Sequence, residues 1–197
     1  MVLEKAPFAE IPDVELMLRL ADGDDFALNG LMDRWGNRVT AFLLKMTGQR
    51  ETAVDLAQET FIKLYHARSR YKPTGGFSTY LFSIASNLAR NHARWKRRHP
   101  TLSIDAVSQD GCGEIPELVD PGRTPEEIAR AKEKARAVHD AFLRLPTDLC
   151  EAMTLFIYEE MSYAEIAVIC QCSTKAVETR IYRARQALKE QLQELRS

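Results

Sequence analysis

The sequence predicts an all-α protein: two helical domains joined by a flexible linker, the second carrying a helix-turn-helix. Three observations predict it. Apolar residues recur at three- and four-residue spacing in one stretch after another, and no stretch alternates as a half-buried strand would. Capping and stop residues bracket these stretches. Residues 100–123 carry Asp, Gly, Pro and Ser without periodicity, which separates a domain at 10–98 from one at 125–197 by a linker over 99–124.

The chain has 197 residues, of which 45% are apolar, enough for a real core. No run of eighteen apolar residues occurs, and the N-terminus has no basic-then-apolar leader. A cytoplasmic protein without membrane insertion is expected. The net charge is −1, whereas an autonomous DNA binder is usually basic, because phosphate neutralisation supplies most non-specific affinity. Here charge is segregated: residues 90–99 are basic, residues 105–120 are acidic, and the last helix is basic on one face. Such a pattern suits a DNA-contacting protein that leans on a partner for affinity.

Residues 1–12 are expected to be a loose tail. Asp13 can cap a helix to about Ala21, Gly23-Asp24 is a turn, and Asp24 or Asp25 can start a longer helix. Phe26, Leu28, Leu31, Val39, Phe42, Leu43 and Met46 form its apolar stripe, and Gly48 stops it. A helix follows from Glu51 to about Ser69, with Val54, Leu56, Ala57, Phe61, Leu64 and Tyr65 for burial. Its other face shows Asp55, Gln58, Glu59 and Lys63.

Tyr71 to Gly76 is a loop by composition. Ser78 begins a helix that buries Leu81, Phe82, Ile84, Ala85 and Leu88 and ends in the run ARNHARWKRRHP, stopped by Pro100. That run is either a solvated helix end, favoured by the helix dipole, or a phosphate-contacting surface. Its density, with Trp95 interleaved, favours phosphate contact. Beyond the linker, Thr124, Pro125 and Glu127 start a helix as N-cap, N1 and N3. It reaches Leu145, Pro146 marks a break, and a further helix runs from Thr147 to about Glu159.

Residues 161–192 read as a helix-turn-helix. Ser162 and Glu165 form a capping box, and Ile166 and Ile169 face inward. The break falls at Cys170-Gln171-Cys172, and Ser173 caps a second helix with Val177, Ile181, Leu188 and Leu192 inward. Lys175, Arg180, Arg183, Arg185 and Lys189 occupy its other face, as a major groove would accept.

Catalytic and metal-binding patterns are not found. Cys112, Cys150, Cys170 and Cys172 lack paired CxxC spacing and are expected to be small buried or turn residues. His66, His92, His99 and His139 are scattered, as surface or cap residues would be. Neither a cofactor nor a catalytic activity is expected.

Two blocks together carry a family resemblance. DLAQETFIKLY (Asp55 to Tyr65) with FSTYLFSIASNLARNHAR (Phe77 to Arg94) resembles region 2 of bacterial sigma factors. LPTDLCEAMTLFIYEEMSYAEIAVICQCSTKAVETRIYRARQAL (Leu145 to Leu188) resembles their region 4. The short N-terminus and bare linker resemble the extracytoplasmic-function (ECF) class, which has only these two domains.

The resemblance implies a promoter-recognising subunit that joins core RNA polymerase through its β′ clamp helices and β flap. It implies promoter DNA and an anti-sigma factor as further partners. Asp55, Gln58, Glu59 and Lys63 carry over as clamp contacts, with Leu56 and Phe61 as core. Asn87 and Asn91 would read a base turned out of the minus-ten element, since an amide offers both donor and acceptor. Lys72, Arg90, Arg94, Lys96, Arg97 and Arg98 would hold backbone phosphates. Tyr71 could stack on a base, whereas Phe77, Tyr80 and Phe82 are expected in the core. Ser173, Thr174, Lys175, Glu178, Thr179, Tyr182 and Arg183 would face the minus-thirty-five element. Gln171 stands where the family often has Gly, and Glu178 where Lys or Arg is common. A carboxylate there repels phosphate but can accept from cytosine N4. The acidic linker is either an inert tether or a segment that enters the basic RNA exit path.

Two other classes remain open from the residues. One is a stand-alone helix-turn-helix regulator with a helical sensing domain. The other is a mimic that sequesters an anti-sigma factor.

Overall fold

A computed structural model describes residue 8 and residues 10–73, 75–99 and 124–194, which are helical with no strand. Eight α-helices form two groups. The first comprises α1 (Asp13–Ala21), α2 (Phe26–Thr47), α3 (Arg50–Ala67) and α4 (Phe77–Arg98), with a 3-10 turn at Arg68–Arg70. The second comprises α5 (Pro125–Leu143), α6 (Thr147–Tyr158), α7 (Tyr163–Cys170) and α8 (Thr174–Glu194). The linker expected over 99–124 lies largely outside the described residues.

Local signals account for several helix ends. Thr124 and Ser162 each accept from the backbone N–H three residues on, and the Glu there returns the bond. Ser173 accepts from Ala176 N–H at 3.2 Å. Gly48 ends α2 at φ 71°, a conformation that a Cβ disfavours. Asp13 is not a cap: Pro12 holds that position, and the Asp13 carboxylate pairs with Arg34 instead. Asp24, two residues before α2, accepts from Phe26 N–H at 3.1 Å.

In the first group, Leu16, Leu20, Leu31, Phe42, Leu64, Leu81 and Phe82 are buried. Burial of each such side chain is worth about 1.5–3 kcal/mol. Trp35 stands edge-on to Phe77 and Phe82, with ring centroids 6.0 and 6.1 Å away. The expected tail is partly ordered. Arg34 donates to the carbonyls of Phe8 and Ile11 at 3.1 and 2.9 Å, and Phe8 lies over Gly30, where any Cβ would meet it at 2.8 Å. Two expected core residues are outside: Phe26 is 72% exposed and Val54 37%. Their neighbours Ala27 and Ala53 are fully buried, so each helix start is covered on one side and Phe26 and Val54 point off that side.

The two groups are packed together rather than held apart. The apolar cores join in one cluster, and α4 lies against α7 while α2 lies against α5 and α6. Gly48 sits against Leu143, with Lys45 Nζ 4.1 Å over the Tyr158 ring nearby. Arg38 pairs with Glu159 at 2.8 Å.

Candidate nucleic-acid and polymerase interface

Three surfaces carry the residues that the sequence singles out. On α3, Asp55, Gln58 and Lys63 are exposed and Glu59 is half-buried, while Leu56 and Phe61 enter the core. Residues 55, 58, 59, 62 and 63 share one helical face by spacing. Lys63 pairs with Glu59 at 3.3 Å. Ile62, at the centre of this polar stripe, is 56% exposed. Sequence reasoning passed over it, although an apolar residue out of phase with the buried stripe is the signal that reveals it.

On α4, Asn87 and Asn91 are exposed and one turn apart. Each amide oxygen is already engaged: Asn87 accepts from Arg90 at 2.6 Å and Asn91 from Arg94 at 2.9 Å. Those bonds tie each amide oxygen to the arginine three residues on. Arg94, Lys96, Arg97, Arg98 and Lys72 are exposed. Trp95 is 54% exposed and stacks on His99 with centroids 5.0 Å apart.

Arg90 is placed differently from its neighbours. Its guanidinium donates to Glu151 Oε1 at 2.8 Å and to the Ile169 carbonyl at 3.3 Å, across the junction of the two groups. The Glu151 side chain is 1% exposed. Burial raises its pKa, and Arg90 and Arg180 oppose that shift.

Tyr71 is not a free stacking platform. Its ring packs 5.1 Å from Tyr80 and 6.5 Å from Phe77, and its hydroxyl is buried. Burial raises the pKa of both tyrosines. The physical reason is the short loop, which folds its one aromatic ring back onto the apolar start of α4. Phe77 and Phe82 are core, as expected, whereas Tyr80, also expected there, is half-buried and packs against the core from its edge.

On the helix-turn-helix, Ser173, Thr174, Lys175, Glu178, Thr179, Tyr182 and Arg183 are all exposed along one side of α8. Val177, Ile181, Ala184 and Leu188 bury the opposite side. Glu178 pairs with Lys175 at 2.8 Å, so the exposed face presents a neutralised pair near its N-terminal end. Gln171 adopts φ 53° and ψ 48°, the left-handed turn for which Gly is the usual residue. Arg180, expected outward, turns in to Asp148 at 3.4 Å and to Cys172 Sγ at 3.6 Å. Arg185 lies over the Phe156 ring at 5.2 Å.

Cys150 and Cys170 are buried thiols and Cys172 is half-buried, while Cys112 lies outside the described residues. Burial pushes Cys150 up to about 11 and Cys170 up to about 12. Neither is a ready thiolate. Among the described residues no cluster of His, Cys, Asp and Glu could hold a metal, and no helix is long and apolar enough to cross a membrane.

One helical group thus carries a basic helix face and the other an exposed helix after a tight turn, an arrangement that suits nucleic acid. Comparisons with known proteins give the family. Residues 31–99 match the sigma-70 region 2 family and residues 135–188 the sigma-70 region 4 family. The chain is 33% identical to the RNA polymerase sigma-H factor of Pseudomonas aeruginosa, over 93% of this chain and 95% of that protein. It is 32% identical to the ECF RNA polymerase sigma-E factor of Escherichia coli, over 94% of this chain and 97% of that protein.

Among solved structures, CnrH in complex with the cytosolic domain of CnrY matches with a TM-score of 0.65 at 25% identity, over 92% of this chain and 97% of that one. The sigma factor RpoE in complex with the anti-sigma factor NepR from Bartonella quintana matches with a TM-score of 0.64, at 22% identity, over 84% of this chain and 96% of that one. The chain belongs to the sigma-70 family of RNA polymerase sigma factors, in its ECF class. Proteins of this family are transcription initiation factors.

Proposed function

We propose that this protein binds core RNA polymerase in the cytoplasm, directs it to promoters, does no chemistry of its own, and is held in check by an anti-sigma factor. Residues 10–98 act as the region 2 unit and residues 125–197 as the region 4 unit. The observation that carries the reading is the pair of family matches in order along one chain, each on a group whose candidate contact face is open. Asp55, Gln58, Glu59 and Lys63, with Ile62 among them, meet the β′ clamp helices, and the region 4 unit meets the β flap. Asn87 and Asn91 read the minus-ten element, and the exposed face of α8 reads the minus-thirty-five element. A solved sigma relative in complex with a protein named as an anti-sigma factor supports that control.

Promoter binding requires the two groups to separate. The two promoter elements lie about 25 base pairs apart by their names, on the order of 80 Å along the duplex. Helix α4, with 22 residues, is only about 33 Å long. With α4 packed on α7, the two reading faces cannot reach both elements. Residues 99–124 can span up to about 90 Å when extended, which is enough. In the open state Arg90 is released to join Lys72, Arg94, Lys96, Arg97 and Arg98 on phosphates.

Gel filtration with core polymerase, followed by run-off transcription on genomic fragments, tests the reading. A stable complex and specific initiation are expected, with weak promoter binding by the free chain at physiological salt. Tight, specific promoter binding without polymerase would instead establish a stand-alone regulator. Binding of an anti-sigma domain without any core binding would establish a mimic.

A further inference from the structure

A cleft of about 410 Å3 opens beside the Arg90–Glu151 pair, between the two helical groups. Helix α4 contributes Arg90, Arg94 and Arg97, α8 contributes Arg180, and α6 contributes Asp148 and Glu151. Four guanidiniums therefore face two carboxylates, an excess of two positive charges. Arg90 is taken up by Glu151 at 2.8 Å, and Arg180 is drawn toward Asp148 at 3.4 Å. Among the described residues Arg94 bonds to a neutral amide, that of Asn91, at 2.9 Å. No carboxylate among the described residues pairs with Arg94 or Arg97. Being three apart on one helix, they repel one another across the cleft mouth.

The backbone adds to this field. Pro146 and Thr147 line the cleft at the start of α6, a 12-residue helix without a side-chain cap. Leu149 N–H is bonded to the Pro146 carbonyl, which leaves the N–H groups of Thr147 and Asp148 and the positive end of the dipole at this edge of the cleft. The volume lies in the range of small-molecule sites. An apolar ligand finds few partners among guanidiniums, and a single negative charge leaves the excess half compensated. Planar guanidinium forks match phosphoryl oxygens in pairs.

We propose that this cleft binds a compact polyphosphate anion, such as the di- or triphosphate tail of a nucleotide, through Arg94, Arg97, Arg180 and the first turn of α6. Both walls are needed, so the ligand binds the packed arrangement and not the open one. It thereby shifts the population toward the packed form by its differential affinity. It also occupies two arginines assigned above to promoter phosphates, so ligand and promoter compete.

The test is calorimetric titration of the full chain with sodium tripolyphosphate at fixed ionic strength, with sulfate at matched ionic strength as the reference. One saturable site per chain is expected, absent for sulfate. Arg97→Gln and Arg180→Gln should each weaken it at least about tenfold, the loss of one charge-assisted pair. Asp148→Asn removes a competing carboxylate and should tighten it several-fold, a gain that misfolding cannot imitate. Circular dichroism of each variant checks folding. Tripolyphosphate binding no tighter than sulfate, or unchanged by both Arg180→Gln and Asp148→Asn, would overturn the proposal. So would binding of a short single-stranded oligonucleotide that ignores Arg180→Gln, with no site for tripolyphosphate; Arg94 and Arg97 would then serve nucleic acid alone.

Discussion

Arg90 on α4 and Glu151 on α6 meet at 2.8 Å across the junction of the two helical groups, and the same guanidinium reaches the carbonyl of Ile169 on α7. Sixty-one residues separate the pair in sequence. One arginine thus closes the packed arrangement and is also a candidate for phosphate in the open one.

Removing the two partners should have unequal effects. Arg90→Ala leaves the Glu151 carboxylate buried without its cation, and breaking a buried pair from one side costs about 3–5 kcal/mol. With the Arg90 side chain 21% exposed, a loss of about 2–4 kcal/mol is expected. Glu151→Gln keeps an acceptor for Arg90 and should cost about 1 kcal/mol or less. Urea unfolding of both variants checks the order; equal losses would show that the bond, not the stranded charge, sets the energy.

Asn87→Ala and Asn91→Ala should fold normally, since both side chains are exposed and Asn is a mediocre helix former. Run-off transcription should nevertheless fall, because an unread flipped base no longer offsets its unpairing energy of a few kcal/mol. The deficit should shrink on a template mismatched across the minus-ten element. Normal transcription from the paired template would assign these amides to holding Arg90 and Arg94.

Glu178→Lys should change preference at one position of the minus-thirty-five element if the carboxylate reads a base. The substitution also frees Lys175 from its 2.8 Å pair. A uniform gain across a set of substituted promoters would mean that only phosphate attraction had changed.

Alkali should weaken the fold through its buried thiols. An unfolded cysteine ionises near 9, whereas Cys150 is held up to about 11 and Cys170 up to about 12. Between those limits the folded chain binds more protons than the unfolded chain, so unfolding free energy falls as pH rises. The Cys150 shift alone corresponds to about 2–3 kcal/mol, complete only above about pH 11. Melting followed from pH 7.5 to 10.5 should fall beyond pH 9, and less steeply for Cys150→Ala. Parallel curves would remove Cys150 as a source.

Gln171→Gly should stabilise the chain by about 0.5–1 kcal/mol, because an L residue at φ 53° carries a steric cost that Gly avoids. The denaturation midpoint should rise with no change in promoter preference. A fall would mean that the Gln171 side chain makes contacts worth more than the turn strain.

The sequence by itself determined the helices, the two capping boxes, the Gly48 stop and the helix-turn-helix. These features depend on groups within about four residues of one another, and the relevant side chains are adjacent in the chain. It also determined which side of α8 is exposed, because Val177, Ile181 and Leu188 fix the buried stripe. Only the tertiary structure decided the fate of Arg90, Arg180, Tyr71 and Phe26. Helical periodicity says that a residue lies off the core stripe of its own helix, but not whether another helix arrives to cover it. Arg90 is covered by α6 and α7 and Arg180 by the start of α6, whereas Phe26 is left 72% exposed. Those outcomes rest on contacts between residues distant in sequence, set by the packing of one helical group against the other.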